Sequence, residues 1–335
     1  MTVPSRLPVV QAPMAGGPST PELAAAVNAA GGFGFVAAGY LTPDTLRAVL
    51  DRTRELTSDP IGVNVFVPTP PDADDAAIAE YARTLAGEAA RLDVALGNPR
   101  WEDDGYAAKL ALIAASGVHT ASFTFGCPAA DDAQRLHRAG VRVAVTVTSP
   151  EEAEQAAAAG ADALIVQGTE AGGHQGVFAD DEANHTPLRG ALAAIGDVVD
   201  LPLIAAGAIM TAADAAAALA HRASAVQIGT ALLCTPEAAT SAPHRRALLE
   251  RRYPDTVITR AFSGRWARGL ANRLAQEHQD APRGYPQIHH LTRPLRAAAA
   301  ARGDADVPNL WAGTGWPAVS TDPAGEVVAR IAAQL

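Results

Sequence analysis

The chain is short of residues on which several large classes of protein depend. It has one lysine, Lys109, among 335 residues, and two cysteines, Cys127 and Cys234. With a single lysine and no Walker sequence, a nucleoside triphosphate-driven machine of the P-loop kind is excluded. Two cysteines that lie far apart form neither a disulfide framework nor a zinc site. They predict reduced thiols in the cytoplasm, and no metal site is expected.

Long apolar runs and positive charge are also scarce. No stretch of about 18 apolar residues is free of charge or proline, and no signal-peptide core is seen, so neither a membrane span nor a secretion signal is predicted. The net charge is −10, and a field of that sign repels nucleic acid and anionic membranes. With 48% hydrophobic and 19% charged residues, the composition is that of a folded globular protein, and we expect a small-molecule partner.

Short apolar runs alternate with helical patterns along residues 1–234. These runs are Pro8–Ala12, Gly34–Ala37, Gly62–Phe66, Thr120–Phe125, Val141–Val147, Ala163–Gln167, Leu203–Ala206 and Ala225–Ile228. The helical patterns between them are Pro21–Ala30, Pro43–Thr57, Ala107–Ser116, Ala129–Ala139, Pro150–Ala159 and Ala212–His221. Eight strands that alternate with helices predict an α/β fold, the (β/α)8 or TIM barrel.

Three further segments are predicted around this barrel. Residues 68–104 follow the third strand and are too long for one crossover, so we expect an insertion that acts as a lid. Residues 235–300 lose the alternating rhythm and are predicted to form a small, mostly helical subdomain over the barrel mouth. Residues 301–335 are expected to pack back on the barrel.

One helix of this subdomain carries a regular spacing of large polar residues. Tyr285, His289 and Arg293 recur every fourth residue and are predicted to share one face of a helix that starts at Pro286. Pro294 disfavours helical geometry at the preceding residue and removes a hydrogen bond. The helix is therefore expected to stop or kink there. The alternative, that these are ordinary exposed polar residues, stays open.

A glycine-hinged loop after the sixth strand carries the most informative histidine. Gly172 and Gly173 have no Cβ, so the backbone there can lie close to a flat ligand. His174 follows them and offers an imidazole that exchanges protons near neutral pH. The alternative is a glycine-rich surface turn with a solvated histidine.

The last two barrel strands end in residues suited to a phosphate. Gly207 and Ala208 follow the seventh strand, and Gly229 and Thr230 follow the eighth. In a barrel of this type these loops meet at the carboxyl ends of the strands, where amides, a hydroxyl and a helix N-terminus bind phosphate. Tight turns of small residues are the alternative. Amide side chains at other strand ends suit the edge of a flavin ring.

Motifs spread over essentially the whole chain resemble those of the nitronate monooxygenase family. Among them are Gln11-Ala-Pro-Met-Ala-Gly16, Ser122-Phe-Thr-Phe-Gly126 and the loop Glu170-Ala-Gly-Gly-His174. The last motif is shared with a wider group of FMN barrels that includes NADH-dependent enoyl reductases. The resemblance implies that FMN and O2 oxidise an alkyl nitronate, or a nitroalkane, to a carbonyl compound and nitrite. It also implies that His174 is the catalytic base or a hydrogen-bond partner of the substrate.

Strand ends and resemblance together define a candidate site. The cofactor residues are Pro13, Met14, Ala15, Asn64, Gln167, Gly172, Gly173, Gly207, Ala208, Gln227, Gly229 and Thr230. The substrate pocket residues are Tyr106, Ser122, Phe125, Tyr285, His289 and Arg293. The chain departs from the family at Ala208, where a second glycine is usual, and at His289 and Arg293, where tyrosine and lysine are usual. Arg293 is nevertheless expected to offer a cation to the anionic nitronate.

Two other functions stay open. One is an NADH-dependent FMN reductase of an enoyl thioester or a quinone, although no nicotinamide-specific feature is seen. The other is a noncatalytic barrel that binds flavin or phosphate, in which His174 is incidental. A homodimeric assembly also stays open.

Overall fold

The computed structural model describes residues 3–70 and 72–335. Residues 1 and 2 of the predicted barrel segment and Pro71 of the predicted insertion lie outside the described residues. The predicted barrel is confirmed, and each strand lies within two residues of its expected bounds. The barrel strands are β1 (Val9–Gln11), β2 (Phe35–Ala37), β3 (Gly62–Phe66), β4 (Thr120–Thr124), β5 (Arg142–Val147), β6 (Ala163–Gln167), β8 (Leu203–Ala206) and β9 (Ala223–Ile228).

The barrel is nearly closed, and its strands are parallel. Their order in the sheet is β1-β9-β8-β6-β5-β4-β3-β2. A short bridge joins the two ends, because Gln11 N donates to Phe33 O and Phe33 N donates to Val9 O, both at 2.9 Å. Since all eight strands run the same way, their carboxyl ends meet at one mouth, where a ligand site is expected.

Helices surround the barrel and bury their apolar faces against it. They are α1 (Pro21–Ala29), α2 (Pro43–Leu56), α5 (Tyr106–Ala115), α6 (Ala130–Arg138), α7 (Pro150–Ala158), α8 (Leu188–Gly196) and α9 (Ala212–Ala220). Thr20, Thr42 and Ser149 begin their helices by accepting a first-turn N–H with the hydroxyl, ahead of a proline. All but α8 are predicted to within one residue. Its two glycines, Gly190 and Gly196, weaken the helical pattern.

The insertion does not stand alone over the barrel. Its helices, α3 (Asp75–Thr84) and α4 (Ala86–Arg91), pack beside a long helix of the subdomain, α12 (Gln287–Ala301). Ile78, Tyr81 and Leu85 share a separate hydrophobic core with Ile288 and Leu291. The segment expected to act as a lid is thus part of a second folded body, built with the predicted subdomain.

That second body contains a small sheet that the sequence did not predict. Besides α10 (Ala242–Leu249) and α11 (Arg273–Glu277), it has the strands β10 (Thr256–Thr259) and β11 (Ala267–Leu270). β11 pairs antiparallel with β10 and with β7 (Gly173–His174), the histidine loop of the barrel. The two-residue β7 has no strand pattern of its own and is defined by its pairing with β11.

The helix was expected to stop or kink at Pro294, and the structure contradicts the stop. α12 continues past it to Ala301, and it begins at Gln287, so that Tyr285 precedes the helix. The insertion packs closely at this point: Gly97 N donates to Leu291 O at 2.8 Å. A Cβ at Gly97 would lie 2.0 Å from His290 O. Contact with the insertion stabilises the helix at the turn that Pro294 weakens.

The C-terminal segment returns to the barrel. It ends in α13 (Ala324–Ala332), which packs against α1 and α9. Before α13, residues 311–315 approach the loops at the barrel mouth. Within residues 3–70 and 72–335, no helix has the length and apolar character that crossing a membrane requires.

Candidate active site

The His174 loop is held from both sides at the barrel mouth. The amide of Gln167, at the end of β6, donates to His174 O at 3.0 Å and accepts from Gly176 N at 2.7 Å. On the other side, β11 pairs with His174 through Ala267. Both polar atoms of the Gln167 amide are therefore engaged with the loop, which gives Gln167 a loop-holding role that the sequence did not predict.

The imidazole of His174 lies in an aromatic cage. Its ring centroid is 5.7 Å from that of Phe125, 5.8 Å from Tyr285 and 5.4 Å from Trp311. Its Nε2 atom is 2.8 Å from Ser263 Oγ. Burial, assisted by the positive charges of arginines nearby, lowers the pKa of His174 to about 3. The ring is therefore neutral at pH 7.

One of these arginines is completely buried beside the cage. The guanidinium carbon of Arg265 lies 4.0 Å from the centroid of the Phe125 ring, and the residue is 1% exposed. It donates to Val177 O, and burial lowers its pKa. Phe125 adopts a φ of 79°, a strained conformation for a bulky residue that is typical of functional sites. Cation and ring together form one wall of the site.

A second aromatic wall comes from Tyr40, which the sequence analysis did not select. Its ring stacks on His289 with centroids 4.2 Å apart and an interplanar angle of 3°, and its hydroxyl is 3.5 Å from that of Tyr285. Its φ is 67°, and its backbone N–H donates to Asp104, which is paired with buried Lys109 at 2.6 Å. Burial raises the pKa of Tyr40 to about 12. Its position shortly after β2 was the signal that could have revealed it.

Half of the predicted pocket residues come together here, and half do not. Phe125, Tyr285 and His289 are linked by the ring contacts described above. Ser122 is fully buried below the mouth. Tyr106 stacks edge-on against Phe123 in the layer between barrel and helices.

Arg293 is on the exposed side of α12. The arginine that faces His289 is Arg296, one turn further along, whose Nη2 donates to His289 O at 3.1 Å. The expected helix end at Pro294 hid this residue. Ser263, Arg265 and Trp311 were also missed as individual residues, although they lie in the motifs Ala261-Phe-Ser-Gly-Arg265 and Trp311-Ala-Gly313.

The predicted cofactor amides Asn64 and Gln227 lie on two separate barrel strands, β3 and β9. Asn64 Nδ2 donates to Ser122 Oγ and to Thr124 Oγ1, each at 3.0 Å, so the amide in an apolar strand has the partners that burial demands. Gln227 Nε2, near the end of β9, is buried and finds no partner among the described residues. An orphan amide at a strand end is satisfied by a polar ligand edge such as that of a flavin.

The loop after β8 presents a ready anion-binding turn. Gly207 has a φ of 137° and Ala208 a φ of 50°, and the N–H groups of Ala208 and Ile209 make no hydrogen bond within the described chain. Consecutive free amides in such a turn form a concave site for phosphate. The α9 N-terminus contributes less than expected, because Asp214 accepts from the N–H groups of Met210 and Thr211.

The loop after β9 completes this arrangement. Thr230 Oγ1 accepts from Gly313 N at 3.0 Å, so its own proton remains free to donate to a phosphate. Gly172 lies against the same segment, since a Cβ there would be 2.4 Å from Gly313 N. The loop after β1, with Pro13, Met14 and Ala15, is partly exposed beside Gly229. These residues fit a flat cofactor that carries a phosphate, as FMN does.

Known proteins are similar to this chain over nearly its whole length. A family model described as nitronate monooxygenase matches residues 4–334. A curated "Probable nitronate monooxygenase" of Staphylococcus aureus (strain MSSA476) is 36% identical over 98% of this chain and 94% of its own. The solved structure of nitroalkane oxidase from Streptomyces ansochromogenes is 49% identical, with a TM-score of 0.96, over 99% and 96% of the two chains. That of FabK from Thermotoga maritima is 25% identical, with a TM-score of 0.77, over 99% and 94%.

Proposed function

Because the chain belongs to the nitronate monooxygenase family, and is therefore an oxidoreductase, we propose that it oxidises alkyl nitronates with bound FMN and dioxygen. The products are a carbonyl compound and nitrite. The observation that carries this proposal is a neutral His174 surrounded by aromatic rings and by positively charged arginines at the barrel mouth. Membership of an enzyme family removes the alternative of a noncatalytic barrel.

FMN would be held by the residues at the strand ends. Its phosphate would meet the free N–H groups of Ala208 and Ile209 and the hydroxyl of Thr230. Its ring edge would satisfy the orphan amide of Gln227. When bound, FMN supplies the redox chemistry by taking electrons from the substrate.

The chain's own contribution is to bind and orient an anion in a pocket with little water. The guanidinium groups of Arg265 and Arg296 produce a positive potential, which adds to burial, the main cause, in lowering the pKa of His174. The same potential favours a negatively charged nitronate over a neutral nitroalkane. The rings of Phe125, Tyr285 and Trp311 shape a dry cage around the imidazole.

His174 is a poor base in this environment. A group whose pKa is about 3 has little driving force to take a proton from carbon at pH 7. We therefore propose that preformed nitronates are the main substrates, with His174 as their neutral hydrogen-bond partner. Neutral nitroalkanes, which need deprotonation first, are oxidised much more slowly.

The test is anaerobic mixing of the flavin-loaded protein with ethyl nitronate, with nitroethane and with NADH, followed at the flavin absorbance band. We expect rapid bleaching by ethyl nitronate, slow bleaching by nitroethane and none by NADH, and nitrite release when oxygen is admitted. Rapid bleaching by NADH alone would move the function to the NADH-dependent FMN reductases. A protein that takes up no FMN would contradict the proposal altogether.

Replacement of His174 separates its two candidate roles. His174→Asn keeps a hydrogen-bonding side chain but removes the base, so it should abolish the residual nitroethane activity. Much of the ethyl nitronate activity and the flavin content should remain. If both substrates keep wild-type rates, His174 contributes neither proton transfer nor binding.

A further inference from the structure

The one lysine of the chain lies where a lysine is least expected. Lys109 is fully buried, and it is the fourth residue of α5 (Tyr106–Ala115). Its side chain is therefore inclined toward the start of the helix, which is the positive end of the helix dipole. Burial and the dipole are both unfavourable for a cation. A lysine at this position requires a compensating interaction.

Asp104 provides this interaction. Its Oδ2 atom lies 2.6 Å from Lys109 Nζ, and of the ion pairs within residues 3–70 and 72–335 this is the only one that Lys109 makes. Burial raises the pKa of Asp104 and lowers that of Lys109, and the charge of each group opposes the shift of the other. Removal of one member leaves an uncompensated charge in a desolvated place, which is strongly unfavourable.

The same carboxylate holds the backbone of Tyr40. The Tyr40 N–H donates to both oxygens of Asp104, at 3.2 and 3.3 Å. Tyr40 has a φ of 67°, in the left-handed region that is unfavourable for a residue with a large side chain. Such a conformation persists only where the surrounding structure holds it. The Asp104 carboxylate, fixed by Lys109, is the group that holds it here.

Tyr40 extends this restraint to the barrel mouth. It lies in the loop that follows β2, at the carboxyl end of that strand. Its ring centroid is 5.5 Å from that of Phe66, and the Phe66 centroid is 4.8 Å from that of Phe125, which borders the His174 cage. The Tyr40 hydroxyl is 3.5 Å from that of Tyr285. A change of φ at Tyr40 would therefore displace an aromatic wall of the site.

We propose that Lys109 and Asp104 are positioning residues that act on the site through Tyr40. The ammonium group fixes the carboxylate, and the carboxylate holds the left-handed backbone that places the Tyr40 ring against Phe66 and Tyr285. Both residues act from behind the mouth, through the backbone of Tyr40. The inference rests on the proposed function for its substrate, an alkyl nitronate, whereas the position of the Tyr40 ring is measured without any substrate.

The first experiment observes the Tyr40 ring and needs no turnover. The chain has five tyrosines, so carbon-13 NMR of labelled tyrosine rings in the flavin-loaded protein, with Tyr40 assigned by Tyr40→Phe, follows this ring alone. Lys109→Met leaves Asp104 without its cation and should move the Tyr40 signal toward that of an exposed tyrosine. The matched control is Asp103→Asn, which removes an exposed charge beside Asp104 and should leave the signal in place. An unchanged Tyr40 signal in Lys109→Met overturns the proposal.

The second experiment measures kcat and KM with ethyl nitronate. In Lys109→Met, kcat/KM should fall at least about tenfold, as expected when a residue that shapes a site is misplaced, while flavin content stays unchanged. The loss should appear mainly in KM, because Tyr40 shapes the pocket. Lys109→Met combined with Asp104→Asn removes both charges and keeps an amide oxygen for the Tyr40 N–H, so it should recover most of the loss. Equal losses in the single and the combined variant overturn the proposal.

A double-mutant cycle tests whether the ion pair acts through Tyr40. Tyr40→Asn tolerates a positive φ but removes the ring, so it should raise KM by itself, and Lys109→Met in that background should add less than about twofold. Independent losses that multiply in full contradict the proposal. If Lys109→Met does not fold, Asp104→Asn replaces it, with the same expected direction. If wild-type protein does not oxidise ethyl nitronate at all, the proposed function fails, and the NMR result still decides the role of the pair.

Discussion

The cofactor side and the substrate side of the barrel mouth are built from different chemical groups. The cofactor side consists of short loops within the barrel, where Ala208 and Ile209 offer backbone N–H groups and Thr230 offers a hydroxyl. The substrate side consists of long side chains from separate parts of the chain. Tyr40 comes from the barrel, and Tyr285 and Arg296 come from the second body.

This difference determines what each side tolerates. A site of backbone amides depends on close approach and on φ angles, so it is disturbed by added atoms and hardly by pH, because backbone amides do not titrate. A site of desolvated side chains depends on protonation and on the docking of the second body.

Acid should destabilise the substrate side and leave the cofactor side chemically unchanged. Burial is the main cause that lowers the pKa of His174 to about 3, of His289 to about 2 and of His244 to about 4. The unfolded chain takes up these protons near pH 6.5, so it binds more protons than the folded chain below that pH. The contribution of these three histidines to the free energy of unfolding is fully present above pH 6.5. Below that pH it falls by about 1.4 kcal/mol per pH unit for each histidine, or up to about 6 kcal/mol in total by pH 5.

Urea unfolding at pH 7 and pH 5 measures this effect. His244→Leu removes one of the three histidines and should reduce the pH dependence by about a third. Equal stability at the two pH values in the wild-type protein would contradict the burial of these neutral rings.

Gly97→Ala should loosen the contact between the insertion and α12 within the second body. The new Cβ would lie 2.0 Å from His290 O, and the overlap should cost about 3 kcal/mol, the upper part of the usual range for overpacking. Activity on ethyl nitronate should fall while flavin is retained. Gly87→Ala, in α4 of the same insertion, is the control, since nothing lies within 4 Å of its Cβ, and it should be neutral or slightly stabilising. Similar denaturation midpoints for the two variants would show that docking does not need Gly97.

Gly172→Ala tests the cofactor side by adding one methyl group. Its Cβ would be 2.4 Å from Gly313 N, so the His174 loop and the C-terminal segment must separate. We expect a loss of 1 to 3 kcal/mol, about the usual cost of overpacking, and an FMN dissociation constant raised at least about tenfold, or 1.4 kcal/mol. Gly190→Ala in α8 is the control, because its nearest neighbour is Thr186 Cγ2 at 3.7 Å. Normal FMN affinity in Gly172→Ala would remove this loop from the cofactor site.

Ala208→Gly should have the smallest effect. Ala208 has a φ of 50°, which costs an alanine about 1 kcal/mol, whereas glycine loses about 0.5 to 1 kcal/mol through the entropy of the unfolded chain. The net change is a gain of at most about 0.5 kcal/mol, with FMN affinity equal or slightly higher. Thermal unfolding and fluorescence titration with FMN measure both quantities. A clear loss of either would show that the methyl group makes a favourable contact.

The barrel could be predicted because its signals are local. Each strand is a short apolar run, and capping residues such as Thr20 and Ser149 mark where helices start. The positions of the glycine loops after the seventh and eighth strands follow from the direction of the strands alone. By the same reasoning, Asn64 in an apolar strand required a buried partner, which it has in Ser122.

The substrate side could not be predicted in the same way. The pattern of every fourth residue selected Arg293, but the docked insertion lets α12 continue through Pro294, and Arg296 is the arginine that faces His289. Tyr106 and Ser122 stay predictions for the pocket: Tyr106 lies edge-on against Phe123, and Ser122 is buried beside Asn64.

Periodicity and glycine positions act over a few residues, so the eight-stranded barrel, its mouth and the backbone turns suited to a phosphate could be deduced from the amino-acid sequence. The neutral state of His174, the contact of Arg296 rather than Arg293 with His289, and the joining of the insertion and the subdomain in one body become apparent in the folded chain. Protonation depends on burial and on charges contributed by residues that are distant in sequence, such as Arg265 and Arg296 around His174. Such neighbours become visible when the chain is folded.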